Sequence, residues 1–156
     1  MRIIELNVNG SIVTTQVKTT ETLLEVLRRL GFYEVKFSCG RGECGACSVE
    51  LNGKAVNACM TLAVSCHRAL IRTAKGFGSV QNPGRVQRAL SECGGVQCGY
   101  CVPGLVTAAE SHIAASPDSS GEEVIRALDG HLCRCTGYVK QRRAINKMTS
   151  GSTIKE

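Results

Sequence analysis

The chain has 156 residues, a formal net charge of +6 and ten cysteines, whereas only 4% of its residues are aromatic. With so few rings to stack on bases, the positive charge does not predict a nucleic-acid partner. The N-terminal residues turn polar at once and no apolar run could span a bilayer, which predicts a cytoplasmic protein without membrane insertion. In a reducing cytoplasm we expect the cysteines to bind metal rather than to form disulfides.

The first half of the chain has the pattern of a small sheet. Residues 2–8 and 12–17 alternate as two strands around an Asn-Gly pair, which is a strong signal for a hairpin turn. Residues 48–51 predict another strand, which a second Asn-Gly turn follows, and a short apolar strand is expected around 69–73.

One helix is predicted between these strands. Thr20 or Thr22 can cap it, and Gly31 can end it. The leucines at helical spacing are Leu23, Leu24, Leu27 and Leu30. Strand, hairpin, strand and crossing helix together predict a β-grasp half.

Three thiols and three glycines occupy the nine residues 39–47, CGRGECGAC. With one later thiol, they form the C-x4-C-x2-C…C spacing of plant-type [2Fe–2S] ferredoxins, in which four thiolates hold the cluster. The glycines suit a loop that must turn tightly and let backbone N–H groups approach sulfur. The predicted ligands of this first site are Cys39, Cys44, Cys47 and Cys59.

The turn-rich segment 75–84 predicts the boundary between two halves, so we divide the chain into domains 1–76 and 77–150 and a tail, 151–156. Beyond the boundary the apolar period becomes helical and indicates about four short helices, the third with a capping box formed by Ser119 and Glu122. The fold class expected is therefore α+β, a β-grasp domain followed by an all-α four-helix domain.

Four more thiols lie in this helical half, as a C-x2-C pair and a C-x-C pair. Each pair precedes a predicted helix, where the helix dipole stabilises thiolates. Spacing alone leaves a second [2Fe–2S] site and a structural zinc site open, and it favours iron–sulfur because C-x-C is unusual for zinc. The residues are Cys98, Cys101, Cys133 and Cys135.

The chain resembles the iron–sulfur subunit of the molybdenum hydroxylases, the family of xanthine dehydrogenase, aldehyde oxidase and carbon monoxide dehydrogenase. The likeness covers nearly the whole chain. It lies in four ordered motifs: CGRGECGAC at 39–47, LNG leading to VNAC at 51–59, VQCGYCVPG at 96–104 and LCRCTGY at 132–138. The resemblance implies that the second site is also a [2Fe–2S] centre.

The resemblance further implies that Gln97 and Cys135 contact the pterin of a molybdopterin cofactor, which a large partner subunit holds. A polar residue at a helix entrance is the alternative interpretation of Gln97. His131 could tune the second cluster, although we interpret it as a histidine at a helix end. Cys66 and Cys93 are interpreted as small buried hydrophobes.

The resemblance thus implies an electron-transfer subunit of a heteromeric molybdenum hydroxylase, which passes single electrons from the molybdopterin centre through two [2Fe–2S] clusters toward a flavin or an external acceptor. The expected partners are a large molybdopterin-binding subunit and a medium FAD-binding subunit. No substrate chemistry is expected on this chain. A free-standing electron carrier and a structural zinc protein are the alternatives, and the subunit hypothesis requires an apolar patch around the loops of Cys98 and Cys135.

Overall fold

The structure is a computed structural model that describes residues 1–150, so the predicted tail, 151–156, lies outside the described residues. Its strands are β1 (Arg2–Val8), β2 (Ser11–Val17), β3 (Ser48–Leu51), β4 (Lys54–Asn57) and β5 (Leu70–Arg72). Its α-helices are α1 (Leu23–Arg29), α2 (Arg85–Glu92), α3 (Val102–Ala115), α4 (Gly121–Ala127) and α5 (Val139–Ser150). Short 3₁₀ turns cover Ala58–Met60, Ala63–Cys66 and Ala74–Phe77.

The five strands form one mixed sheet with the order β2-β1-β5-β3-β4. Strand β5 pairs parallel with β1 and antiparallel with β3, so it joins the two hairpins. Both hairpins turn on the predicted Asn-Gly pairs, whose residues all have positive φ, as a type I′ turn requires: Asn9, Gly10, Asn52 and Gly53. Val35 is buried in the first hydrophobic core, and the first cysteine loop begins four residues after it.

Helix α1 is capped by Thr22, one of the two predicted residues. The Thr22 hydroxyl accepts the Glu25 N–H, and the Glu25 carboxylate accepts the Thr22 N–H, which completes a capping box. Its leucines pack into the core beneath the sheet, together with Val26. The chain then leaves the helix through Gly31, at φ +91°. The predicted helix of the β-grasp half is confirmed.

Four helices follow, α2 to α5, and they enclose a second hydrophobic core. Its members include Val86, Leu90, Leu105, Val106, Ala109, Ile113, Val124, Ile125, Ala144 and Ile145. Cys93 packs at the edge of this core, and Cys66 is buried in the first core. The predicted α+β class, with a ferredoxin-like half followed by a helical half, is confirmed.

The predicted capping box of Ser119 and Glu122 is wrong by one residue. Helix α4 is capped by Ser120, whose hydroxyl accepts the N–H of Glu123. The Ser119 hydroxyl instead lies 3.2 Å from the ring of His112. Two adjacent serines precede two adjacent glutamates, so the i, i+3 pattern fits either register, and the contact with α3 decides between them.

The two halves pack directly on each other. The Ser111 hydroxyl of α3 donates to the buried Glu50 carboxylate of β3, at 2.9 Å. Gly104, also on α3, lies so close to the cysteine loop that a Cβ there would meet the Gly45 oxygen at 2.2 Å. Within residues 1–150, no helix has the length and apolar character needed to cross a membrane.

Candidate metal centres

The first cysteine loop folds around three glycines in the left-handed region. Gly40, Gly42 and Gly45 have φ of +64°, +78° and +68°, values that a Cβ would oppose. This backbone conformation brings an amide close to a thiol: the N–H of Arg41 donates to Cys39 Sγ at 3.4 Å. The loop therefore already presents hydrogen-bond donors to sulfur, as the glycine pattern predicted.

The three thiols of this loop and that of Cys59 fall into two pairs with different surroundings. Hydrogen bonds from the Arg41 amide, the Cys44 thiol and the Glu43 amide lower the pKa of Cys39 to about 6. Burial raises the pKa of Cys47 to about 11, and its thiol interacts with that of Cys59. Cys39 thus pairs with Cys44 near the surface, whereas Cys47 pairs with Cys59 beneath it.

The second cysteine group is also made of two pairs, and each pair joins the two motifs. The Sγ atoms of Cys98 and Cys135 lie 3.6 Å apart and both residues are exposed. Cys101 and Cys133, which are partly buried, interact through their thiols. Residues separated by more than thirty positions in the chain are therefore brought together at one end of the helical half.

The inner pair of the second group has opposite pKa shifts. Burial raises the pKa of Cys101 to about 11, although a hydrogen bond from Gln141 acts to lower it. Burial also acts to raise the pKa of Cys133, but hydrogen bonds from the hydroxyl and amide of Thr136 and from the Cys135 amide outweigh it and lower the pKa to about 7. The Thr136 hydroxyl lies 3.1 Å from Cys133 Sγ.

His131 lies against the first cysteine loop rather than at a solvent-exposed helix end. Its Nε2 is 3.0 Å from the Ser48 hydroxyl, and a Cβ on Gly45 would come within 2.5 Å of its ring. Burial lowers the pKa of His131, which keeps the ring neutral at pH 7. The interpretation as a helix-end histidine missed this contact, because Ser48 is 83 positions away in the sequence.

The outer thiols of the second group are exposed, as are several large apolar residues close to them in the sequence. Gln97, Cys98 and Cys135 are themselves exposed. Five large apolar residues within or next to the two motifs are also exposed: Val96, Tyr100, Leu132, Tyr138 and Val139. We call these five residues the apolar rim. The subunit hypothesis predicts exposed apolar residues around these two loops.

The residues present fit [2Fe–2S] clusters in their chemistry. Each iron of such a cluster takes two thiolates, and the thiols of each group lie in two pairs with amide or hydroxyl donors beside them. In the part of the chain that the structure describes, no three histidine, cysteine or carboxylate side chains converge on a single-ion site. Paired thiols are the arrangement that a two-iron centre uses.

The sequence did not predict the contacts of two polar residues with the second cysteine group. Gln141 donates its side-chain amide toward Cys101 Sγ, and the Tyr138 hydroxyl accepts the Cys133 N–H at 2.8 Å. Gln141 stands on α5, forty positions from Cys101, so no local pattern could reveal the contact. Tyr138 lies within the quoted LCRCTGY motif, and its proximity to Cys133 was the available signal.

Two domain models match the chain, and they divide it in the order of its two halves. A 2Fe-2S iron-sulfur cluster binding domain matches residues 6–67, and a [2Fe-2S] binding domain matches residues 73–146. The fold, the paired thiols and these matches define an iron–sulfur protein with a ferredoxin-like half and a helical half.

Relatives narrow the class to one family. The chain is 40% identical over 143 residues to the nicotinate dehydrogenase small FeS subunit of Eubacterium barkeri, covering 91% of each chain. It is 39% identical over 137 residues to the xanthine dehydrogenase iron-sulfur-binding subunit of Escherichia coli O157:H7, covering 86% of each. The chain belongs to the family of iron–sulfur subunits of the molybdenum hydroxylases, whose role within the enzyme is electron transfer.

Solved structures agree with this assignment. Quinoline 2-oxidoreductase from Pseudomonas putida has a chain that matches with a TM-score of 0.88 and 30% identity, over 96% of this chain and 94% of that one. The aldehyde oxidoreductase of Desulfovibrio gigas matches with a TM-score of 0.90 and 36% identity, over 96% of this chain but 17% of its own. This chain therefore spans about a sixth of the latter protein.

Proposed function

We propose that this chain passes electrons one at a time from the molybdopterin centre of a partner subunit, through two [2Fe–2S] clusters, toward a flavin or an external acceptor. The observation that carries the proposal is the direct contact between the two cysteine groups. The Leu132 N–H, next to Cys133, donates to the Cys44 carbonyl oxygen at 3.0 Å. Each cluster, when bound, would accept and release a single electron.

The proposed ligands of the first cluster are Cys39, Cys44, Cys47 and Cys59. Those of the second cluster are Cys98, Cys101, Cys133 and Cys135. The observed thiol pairs suggest the division between irons: each outer pair would hold the iron nearer the surface, and each inner pair the buried iron. The backbone amides beside Cys39 and the Thr136 hydroxyl beside Cys133 would stabilise the thiolate form.

We further propose that the apolar rim docks on a large molybdopterin-binding subunit, with Gln97 and Cys135 contacting the pterin. Both residues are exposed at the rim, where Gln97 directly precedes Cys98. An apolar surface of this kind around a polar contact is typical of a covered interface. The small-subunit names and lengths of the relatives support a separate partner chain, as in nicotinate dehydrogenase.

The electron outlet is proposed to lie at the first cluster, on a medium FAD-binding subunit. Phe37 and Met60 are exposed large apolar residues that lie against this loop. A Cβ on Gly42 would come within 2.8 Å of Met60, and one on Gly40 within 3.5 Å of Phe37. The division into domains 1–76 and 77–150, and a cytoplasmic location, remain part of the proposal.

The test is to purify the chain anaerobically from its native source, together with the proteins that copurify with it. The proposal expects about four irons per chain, two distinct paramagnetic signals after reduction, and a molybdopterin-containing partner. A Cys98→Ser variant should lose one signal and keep the other, and a Cys44→Ser variant should do the reverse.

Other results would favour the alternatives. Isolation of an active chain without any partner would support a free-standing electron carrier. A colourless protein with zinc in place of iron would support a structural zinc protein. Loss of both signals in both serine variants would contradict the assignment of four ligands to each cluster.

A further inference from the structure

Gln141 is a buried polar residue on an otherwise apolar side of α5. Its side chain is 3% exposed, and Ala144 and Ile145, on the same helix, belong to the second hydrophobic core. Burying a carboxamide costs free energy unless hydrogen bonds replace those lost to water. An apolar residue would fill this position at no such cost, so the partners of the amide indicate what the glutamine does.

The partners of Gln141 are a cysteine sulfur and a backbone carbonyl. Nε2 lies 3.6 Å from Cys101 Sγ and 3.3 Å from the Gly95 oxygen. Oε1 has no hydrogen-bond partner among residues 1–150. Both directed contacts are thus made by the NH₂ group, with one proton available for each acceptor.

Thiolate chemistry fixes the orientation of this amide. A cysteine bound to iron has lost its proton and can only accept hydrogen bonds, and the Gly95 carbonyl is likewise an acceptor. Turning the amide over would place Oε1 against two acceptors. The NH₂ group must therefore face the sulfur, even though Oε1 is then buried without a partner among the described residues.

We infer that Gln141 is a positioning residue that tunes the second cluster, by donating an N–H···S hydrogen bond to the Cys101 ligand. The inference rests on the ligand set of the proposed function. Hydrogen bonds to the sulfurs are one of the means by which proteins set the potential of an iron–sulfur cluster.

The direction of the effect follows from charge. An oxidised cluster with four thiolates carries about −2, and one electron makes it about −3. A donor at sulfur stabilises the more negative form more strongly, because the charge that it contacts is larger. Gln141 therefore raises the reduction potential of the second cluster and leaves the first cluster, held by other residues, unaffected.

The decisive variant is Gln141→Met in the intact complex, because methionine keeps the length and apolar body of the side chain but has no N–H donor. Redox titration followed by electron paramagnetic resonance measures the potential of each cluster signal separately. We expect the reduction potential of the second cluster to fall by about 59 mV, while that of the first cluster stays the same. For a one-electron couple, this shift lowers the equilibrium constant for reducing the second cluster about tenfold relative to the first.

Gln87→Met is the matched control. The Gln87 amide also donates to a backbone carbonyl, that of Ala74 at 2.9 Å, but it stands on α2 and no cysteine sulfur is among its hydrogen-bond partners in the described part of the chain. This control should leave both potentials unchanged. Gln141→Leu, which also lacks the donor and suits a helix, should reproduce the shift seen with methionine.

Two signals with unchanged potentials in both Gln141 variants would overturn the inference while leaving the proposed function intact. Equal shifts of both signals, or loss of the second cluster in both variants, would also overturn it, because the glutamine would then be structural. Absence of a second signal in the wild-type complex would instead contradict the ligand set itself.

Discussion

The backbone N–H of Leu132 donates to the carbonyl oxygen of Cys44 at 3.0 Å. Cys44 is a proposed ligand of the first cluster, and Leu132 directly precedes Cys133, a proposed ligand of the second. One hydrogen bond and a few covalent bonds of the chain therefore connect the two cysteine groups. The ring of His131, the residue before Leu132, lies against Gly45 of the first cysteine loop.

Gly45→Ala should destabilise the protein more than Gly53→Ala. Both glycines have positive φ, so alanine costs about 1–2 kcal/mol at either position. At Gly45 the new Cβ would also meet the His131 ring at 2.5 Å and the Gly130 oxygen at 2.9 Å, which adds about 1–3 kcal/mol. Gly53 has nothing within 4 Å. Thermal unfolding and iron content measure the difference, and equal losses would contradict the contact.

Ser111→Ala should weaken the packing between the two halves. The variant removes the hydroxyl that donates to the buried Glu50 carboxylate at 2.9 Å, leaving that oxygen without its donor. Such a loss costs about 1–3 kcal/mol. Chemical denaturation measures the resulting change in the free energy of unfolding. Ser65→Ala serves as control, since that hydroxyl donates to a carbonyl at the surface, and a comparable loss in the control would argue against a special role for Ser111.

Ser120→Ala should destabilise α4, and Ser119→Ala should have a smaller effect. Only the Ser120 hydroxyl accepts a backbone N–H at the start of the helix, from Glu123. Losing such a cap costs about 1 kcal/mol. The free energy of unfolding of the two variants distinguishes the registers. A larger loss for Ser119→Ala would restore the register that the sequence alone predicted.

After removal of iron, Cys133 should react with iodoacetamide faster than Cys101 at pH 7. The two thiols are both partly buried, but the pKa of Cys133 is lowered to about 7, whereas that of Cys101 is raised to about 11. At pH 7 a large fraction of Cys133 is therefore thiolate, which is the reactive form, and very little of Cys101 is. Mass spectrometry of the alkylated peptides gives the two rates.

Thr136→Val provides the control for this experiment. It removes the hydroxyl 3.1 Å from Cys133 Sγ without greatly changing the side-chain shape. The pKa of Cys133 should rise, so its alkylation at pH 7 should slow, while Cys101, whose pKa is raised chiefly by burial, should remain slow to react. Equal rates at the two cysteines in the unmodified chain would refute the predicted order.

Local patterns in the sequence determined the elements of this fold. The Asn-Gly pairs placed both hairpin turns, Thr22 capped the first helix, and the helical period gave the second core. Each of these signals acts over a few residues, where backbone sterics and side-chain capping decide the structure. The same holds for the two cysteine motifs, because their spacing and glycines are local features.

Tertiary structure decided which distant groups meet. Cys98 lies beside Cys135, His131 beside Ser48, and Gln141 beside Cys101, each across at least 37 positions of the chain. No periodicity predicts such contacts, because the first and third depend on how the helices pack on one another, and the second on how the helical half packs against the sheet. Sequence alone therefore determined which cysteines are proposed as iron ligands, and only packing decided which polar groups surround those sulfurs and how the two cysteine groups touch.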